Sequence, residues 1–519
     1  MREILHLSFS TAANHLSTHF FNSQESYFTY DDKISSVDHN ITFRSGSAAD
    51  GSTETFTPRC LLWDLKGGYG SLMKYNSLYG NEEGSLTPAN IVRIEEPRVP
   101  KSAYIESLDE NAEQVAKLNP STTSYWSDYC NVFHHPRSLL QLSSWEYHPV
   151  DAPRGRARGS GGSGPSAAVH HGSAGKVREF KGYDVGASEF HDLNNADSAG
   201  ELASETHFRV LLEECDLLAG INIITDVDSA WGGFTAEALS ELRDEYIPKS
   251  TVSLWGSEDN ATLDRINQYS RIQTLAALTP SSTAYIPLCL NPDTASLFSF
   301  FSADVGFDAS SLWHTTGLLN AAFESITLPT RLRESDSRVS MDTLASEITS
   351  LGSRKIISGT ESAVGHAISQ LGGTNSVNNG HQDRLSRLKA AKSRLGHSFS
   401  KFGVVRDFRG SSIGSMEQIW EEYAKPTDVK DEGGFVDRRL IPLCYPTPAS
   451  YPPYLPESAP LYSSLYSTSL TSYQSADMKD FVSRYVRGDN REESKDELDT
   501  SSAEFVFGWS DDSSGDDDE

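Results

Sequence analysis

At 519 residues, with 44 basic against 72 acidic side chains and a net charge of -28, the chain has room for two or three domains and no general affinity for nucleic acid or anionic lipid. Hydrophobic residues at 37% and charged residues at 22% are globular values, and no run of about 18 apolar residues offers a membrane-crossing helix. The five cysteines (Cys60, Cys130, Cys215, Cys289, Cys444) include no CxxC pair, which points to reduced thiols and away from a disulfide framework or a zinc site. Met1–Leu7 lacks the apolar stretch of a secretory signal, and Glu3 argues against a matrix presequence.

In chain order, Glu3–Leu7 alternates like a strand, Ser8–Ala13 reads as a small polar turn, and Asn14–Tyr27 carries Leu16, Phe20 and Tyr27 at helical spacing. Thr57–Leu65 predicts a second strand, closed by the turn Gly67-Gly68-Tyr69-Gly70. Glu106–Leu118 predicts a helix. Residues 151–175 are rich in Gly, Ser and Arg and cannot bury enough apolar surface to fold, so a disordered insert is expected. Glu201–Leu218 then predicts an amphipathic helix, Gly220–Thr225 a strand, Asp226–Gly233 a turn and Thr235–Tyr246 a helix. Such alternation implies a parallel sheet covered by helices. Strand and helix candidates follow over Leu254–Asn291, with helix over Ala295–Phe323. Gly372–His397 reads as a loop or a solvated basic helix, Pro442–Pro460 as extended chain, and Asp477–Arg487 as a last helix. From Asp489 to Glu519 come 13 acidic and 2 basic residues, the composition of a disordered tail.

Several of these stretches resemble tubulins: Met1–Leu7 with Asn14, Pro58–Leu65, and Glu214-Cys215-Asp216 with Gly220 followed by Arg243–Tyr246. Asn22–Tyr30, Leu62–Gly67, Tyr125–Tyr129 and His134–Ser138 are similar to the Misato family, a tubulin-related branch with fungal members. The resemblance covers the chain apart from insert and tail. It implies an α/β fold with a tubulin/FtsZ-like parallel sheet flanked by helices and a second α+β domain. The implied domains are 1–118, 119–310 and 311–487, followed by a disordered acidic tail over 488–519. It also implies a role in mitochondrial distribution and morphology and in inheritance of mitochondrial DNA. The expected location is the cytosolic face of mitochondria and the cytoplasm, with mitochondrial-surface, cytoskeletal or chaperone proteins as partners. No direct nucleic-acid binding is expected.

Tubulin-like proteins hold GTP with glycine-rich turns whose N–H groups face phosphate. Here Ser10-Thr11-Ala12-Ala13 stands in the first turn with both glycines replaced, and Lys66 stands where the family keeps an acid linked to magnesium. Val227–Gly233 aligns with the signature loop, keeping only the last glycine, Gly233, in place, with Gly232 in the serine position and Asp228 and Trp231 added. Asp226 and Asp228 would oppose a triphosphate by about 3 kcal/mol per like-charge pair at about 5 Å and an effective dielectric near 20. Arg331–Arg338 has none of the Gly-x-x-Asn-x-Asp loop that completes hydrolysis in the family. The expectation is a non-enzymatic relative without cofactor or metal, whose candidate positions are Ser10, Thr11, Asn14, Lys66, Asp228, Trp231, Gly232 and Gly233. The alternatives are a GTPase using Lys66 and the Ser10–Ala13 turn, or an adaptor or chaperone for tubulin.

Other motifs carry less. His134-His135 reads as a structural turn before Pro136, and Gly159–Gly164 as linker repeats with no serine-hydrolase elbow. Trp231 either shapes a cleft or plugs the vacated pocket. Phe505–Trp509, an apolar island in the acidic tail, is either a docking peptide or a segment packed on its own domain.

Overall fold

The computed structural model describes residues 2–29, 34–47, 51, 54–74, 76, 78, 99–147, 168–171, 177–195, 207–259, 264–290, 307–308, 310–333, 335–364, 398–406, 435–454, 461–487, 489–503 and 505. The first strand, β1 (Glu3–Phe9), alternates so that Leu5, Leu7 and Phe9 face one core and His6 and Ser8 the other. It runs through the single residue Ser10 into α1 (Thr11–Glu25), so the predicted six-residue turn is one residue long. A hairpin, β2 (Phe43–Ser47) and β3 (Glu54–Pro58), leads to β4 (Cys60–Lys66). The helix expected over Glu106–Leu118 is α2, confined to Ala103–Asp109. Next come β5 (Leu139–Tyr147), β6 (Ala168–His171), β7 (Val177–Glu179), α3 (Tyr183–Asn195) and α4 (Arg209–Glu213). The Rossmann-like alternation then resumes with β8 (Leu218–Asp226), α5 (Ala230–Glu245), β9 (Val252–Asp259), α6 (Arg265–Ser281) and β10 (Ala284–Leu290).

These strands form one eight-stranded sheet in the order β10-β9-β8-β1-β4-β5-β6-β7, parallel from β10 to β5 and antiparallel beyond. A parallel sheet needs both faces covered. One face meets α3, α5 and α6 through Leu5, Leu7, Ile221, Ile223, Trp231 and Phe234. The other meets α1 and α7 (Leu312–Thr327) through Leu62, Ile224, Trp255, Phe20, Phe21 and Phe323. After α8 (Met341–Ile348) comes a second sheet of β11 (Gly359–Val364), β12 (Ser398–Arg406), β13 (Phe435–Ile441) and β14 (Leu461–Thr468), in the order β11-β14-β12-β13. Phe402, Val404 and Leu465 of this sheet share the core of α1 and α7, so the two sheets clamp a common layer.

One expectation needs correction at the C-terminus. Residues after 488 include a helix, α10 (Asp489–Ala503), packed on α9 (Leu470–Tyr485) and α6, and Phe505 beyond it is buried. Of the apolar island, Phe505 thus packs on its own domain and 506–509 lie outside the described residues. Pro442–Pro460 supplies no strand in its described part but buries Tyr445, Tyr451 and Tyr454 against α7. Of the insert, the described part is β6, whose His170 and His171 pair with β7 by backbone. Gly372–His397 lies outside the described residues.

Candidate functional site

Ligands of open α/β sheets lie at the carboxyl ends of the strands. Here those ends are Ser10 after β1, Lys66 on β4, Asp226 on β8 and Glu258 on β9. Ser10 has φ 130° and ψ 161°, a region that essentially belongs to glycine and costs a side chain about 1–3 kcal/mol. The loop keeps a glycine backbone without the glycine. Its hydroxyl accepts from the Ala13 N–H at 3.0 Å, and its carbonyl from the Asn14 N–H at 2.9 Å. Of the N-terminal donors of α1, which would face a phosphate, the Ala13 N–H is met by the serine itself.

Thr11 and Asn14 point toward Asp64 of β4. Thr11 donates to one carboxylate oxygen at 2.7 Å, and Asn14 and the Trp126 indole each donate to the other at 3.0 Å. The Leu65 N–H completes the set at 2.9 Å. Burial pushes the Asp64 carboxyl up and these donors pull it back. The turn after β4 packs on this hub: a Cβ on Gly68 would sit 2.3 Å from Asp64 Oδ1. Lys66 pairs with Glu146 of β5 at 3.3 Å, so its charge is matched on the sheet.

The signature loop is shorter than expected because α5 begins at Ala230, and Trp231, Gly232 and Gly233 are helical. The Ser229 hydroxyl accepts from the Trp231 N–H at 3.2 Å and its carbonyl from the Gly232 N–H at 3.2 Å, so this helix is self-capped too. Trp231 is 1% exposed, edge-on to Phe180 and Phe234. It fills the core and lines no surface cleft. The glycines serve helix packing: a Cβ on Gly232 would meet Thr274 of α6 at 2.1 Å, and one on Gly233 the Tyr183 carbonyl of α3 at 2.0 Å. Asp228 is buried in a two-pronged pair with Arg271 of α6, which also lies 3.6 Å from Glu258. The Tyr285 hydroxyl donates to Glu258 at 2.9 Å. Asp228 is therefore paired with a base it shares with Glu258, which the sequence did not show, and its charge still bears on Asp226. Asp226, like Asp64, has no basic partner among these groups. Burial pushes its carboxyl up to about 7, against hydrogen bonds from Ser10 and Ser257, with Asp228 and Asp64 raising it further.

Set against a guanosine triphosphate, these residues do not fit. Both helix N-termini are internally capped, the surviving glycines are filled by neighbouring helices, and the mouth presents carboxylates. Among the described residues no group of three His, Cys, Asp or Glu side chains can hold a metal ion.

The Misato segment II tubulin-like domain matches residues 2–110, and the tubulin domain matches residues 170–332. Protein DML1 of Yarrowia lipolytica is 32% identical over 528 residues, covering 100% of both chains. Protein dml1 of Aspergillus oryzae is 32% identical over 538 residues, covering 99% of each. The chain belongs to the Misato family. Protein dml-1 of Neurospora crassa is 36% identical over 367 residues, covering 69% of this chain and 62% of its own.

The Misato-like motifs converge on α1. Asn22 donates to the Tyr129 carbonyl at 2.7 Å and to Ser450 at 3.0 Å, and accepts from the Asn131 N–H at 3.0 Å. Tyr129 lies 2.7 Å from His15 Nδ1, and His19 Nε2 lies 2.9 Å from the Trp313 carbonyl. His134 is buried between the Cys60 and Cys130 thiols at 3.6 and 3.5 Å, while His135 caps the turn Pro136–Ser138, as its place before Pro136 predicts. The four cysteines with described side chains are free thiols.

The strongest electrostatic feature of this Misato-family chain went unread in the sequence. Glu324 of α7 is fully buried with Arg406 of β12 and Arg331, the latter at 3.3 Å. Tyr27 donates to Glu324 at 3.0 Å, and Gln24 accepts from Arg331 at 2.9 Å. Burial alone would raise the Glu324 carboxyl, but Arg406 and Arg331 hold it below the usual range. Arg331 stands where the family's hydrolytic loop was sought, and is fixed in the core. The readable signal was a lone acid inside the apolar helix run Leu318–Ile326 and an arginine closing Phe402–Arg406.

Proposed function

We propose that this protein is a non-enzymatic, tubulin-fold scaffold that binds other proteins at the cytosolic face of mitochondria and supports organelle distribution and mitochondrial DNA inheritance. The observation that carries the non-enzymatic half is the self-capped, Asp228–Arg271-closed mouth of the sheet, which leaves no cradle for a triphosphate. The organelle role rests on membership of the Misato family. Binding without turnover suits a fold in which helix and strand contacts replace the nucleotide. The described helices include none long and apolar enough to cross a membrane, so the reading takes attachment through protein partners.

A fluorescent tag on the full chain, imaged together with a mitochondrial DNA stain during depletion and re-expression, tests it. The reading expects signal at mitochondria and misdistributed organelles and nucleoids on depletion, restored by a Lys66→Ala chain. Diffuse signal with normal organelles contradicts it.

A further inference from the structure

Helix α10 has the wrong sequence for a core element. Six of its residues are acidic, two are basic, and its one large apolar residue is Leu498. A helix of this length is marginal alone in water, so docking holds it. Two anchors do so. Leu498 is 4% exposed against Ile272 of α6 and Val482 of α9, with Met478, Phe481 and Val486 beside them. Phe505, 1% exposed, lies edge-on to Phe399 at 6.3 Å between ring centres, and Arg354 stacks over the other partner of that ring pair at 4.0 Å. Lys479 of α9 forms an ion pair with Asp499. Under the polar helix lies a face that is apolar and fringed with cations: Ile272 and Val482 are fully buried, Lys479 sits at its edge, and Arg265 covers the Tyr485 ring at 4.4 Å.

We propose that α10 with Phe505 is a displaceable strap over a docking face on α6, α9 and the Phe399 end of β12, and that the face takes an acidic amphipathic helix. The strap defines the occupant's chemistry: one aliphatic side chain, an aromatic about two turns later, and carboxylates on the outer side. A partner helix of that pattern gains the same two pockets and the Lys479 contact, and competes with the strap. The inference is independent of the mitochondrial reading, because it rests on the packing of α10 alone.

The test uses the full chain with a specific protease site inserted after Arg487, cut after folding. The released 488–519 fragment is expected to separate from the body on gel filtration, with amide-exchange protection of β1 and β8 unchanged. A fluorescein-labelled peptide of residues 489–505 should bind the cut body saturably and the uncut chain at least about tenfold more weakly, since the uncut face is covered. The same peptide carrying Leu498→Asp and Phe505→Ala should not bind. Retention of the fragment through gel filtration, loss of β1 and β8 protection on cutting, or equal peptide binding before and after cutting each overturns the strap.

Discussion

The mouth of the sheet and the layer around α1 were built from the same kinds of residue and put to opposite uses. At the mouth, Asp226 has no basic partner among the described residues and Ser10 keeps a strained glycine-like backbone. Around α1, Asn14, Asn22, Gln24 and Tyr27 are committed to Asp64, Tyr129, Arg331 and Glu324, and join two sheets. Around α1 the polar side chains are spent on holding the two sheets together. The two regions also respond to pH with opposite sign.

The largest expected effect exploits that sign. Burial, aided by neighbouring cations or histidines, lowers His6, His15 and His19 to about 3. Below pH 6.5 the unfolded chain takes up these protons and the folded chain does not. Stability is therefore full above 6.5 and falls on acidification, by about 4–6 kcal/mol at pH 5 for three such groups. Urea unfolding across pH 5–7.5 checks this, and His19→Gln should remove about a third of the slope.

Next comes Glu324→Ala, which leaves Arg331 and Arg406 buried without their acid and should cost about 3–5 kcal/mol. A loss under about 1 kcal/mol would mean that water reaches the cluster and the domains are not joined there. Trp231→Ala should cost about 3–4 kcal/mol by opening a cavity beside Phe180 and Phe234. If Trp231 instead lined an open cleft, unfolding midpoints would barely move.

Asp226→Asn sharpens the contrast. The folded chain holds the Asp226 proton up to about pH 7 and the unfolded chain releases it near 3.8, so the native carboxyl weakens the fold as pH rises through that window. The variant should gain about 4 kcal/mol at pH 8 and less than about 1 kcal/mol at pH 4, the reverse of the histidine effect. Smallest is Ser10→Gly, where relief of strain offsets the lost cap. Thermal melting should place it within about 1 kcal/mol of the wild type.

Much of the parallel sheet was legible because Glu3–Leu7 alternates, and Thr57–Leu65 and Gly220–Thr225 are apolar-rich runs bounded by turn residues. The one-residue Ser10 turn was not, since small polar residues at 11–13 suit a loop and a helix N-terminus equally. Trp231-Gly232-Gly233 was read as loop because glycine usually breaks helices, yet close contact with α3 and α6 overrides that propensity. The acidic run after 488 concealed α10 because two apolar side chains, Leu498 and Phe505, are too few to show periodicity. At the mouth, the degenerate positions were visible one by one, but Arg271, which neutralises Asp228 from a distant helix, was not. Sequence spacing carries no record of a pair 43 residues apart.

Equilibrium binding of labelled GTP with magnesium to the full chain, followed by phosphate release, tests the central claim most directly. With the mouth capped by Ser10 and Ser229 and closed by Asp228–Arg271, no saturable binding and no turnover are expected. Saturable, magnesium-dependent binding with phosphate release, abolished by Lys66→Ala, would contradict it.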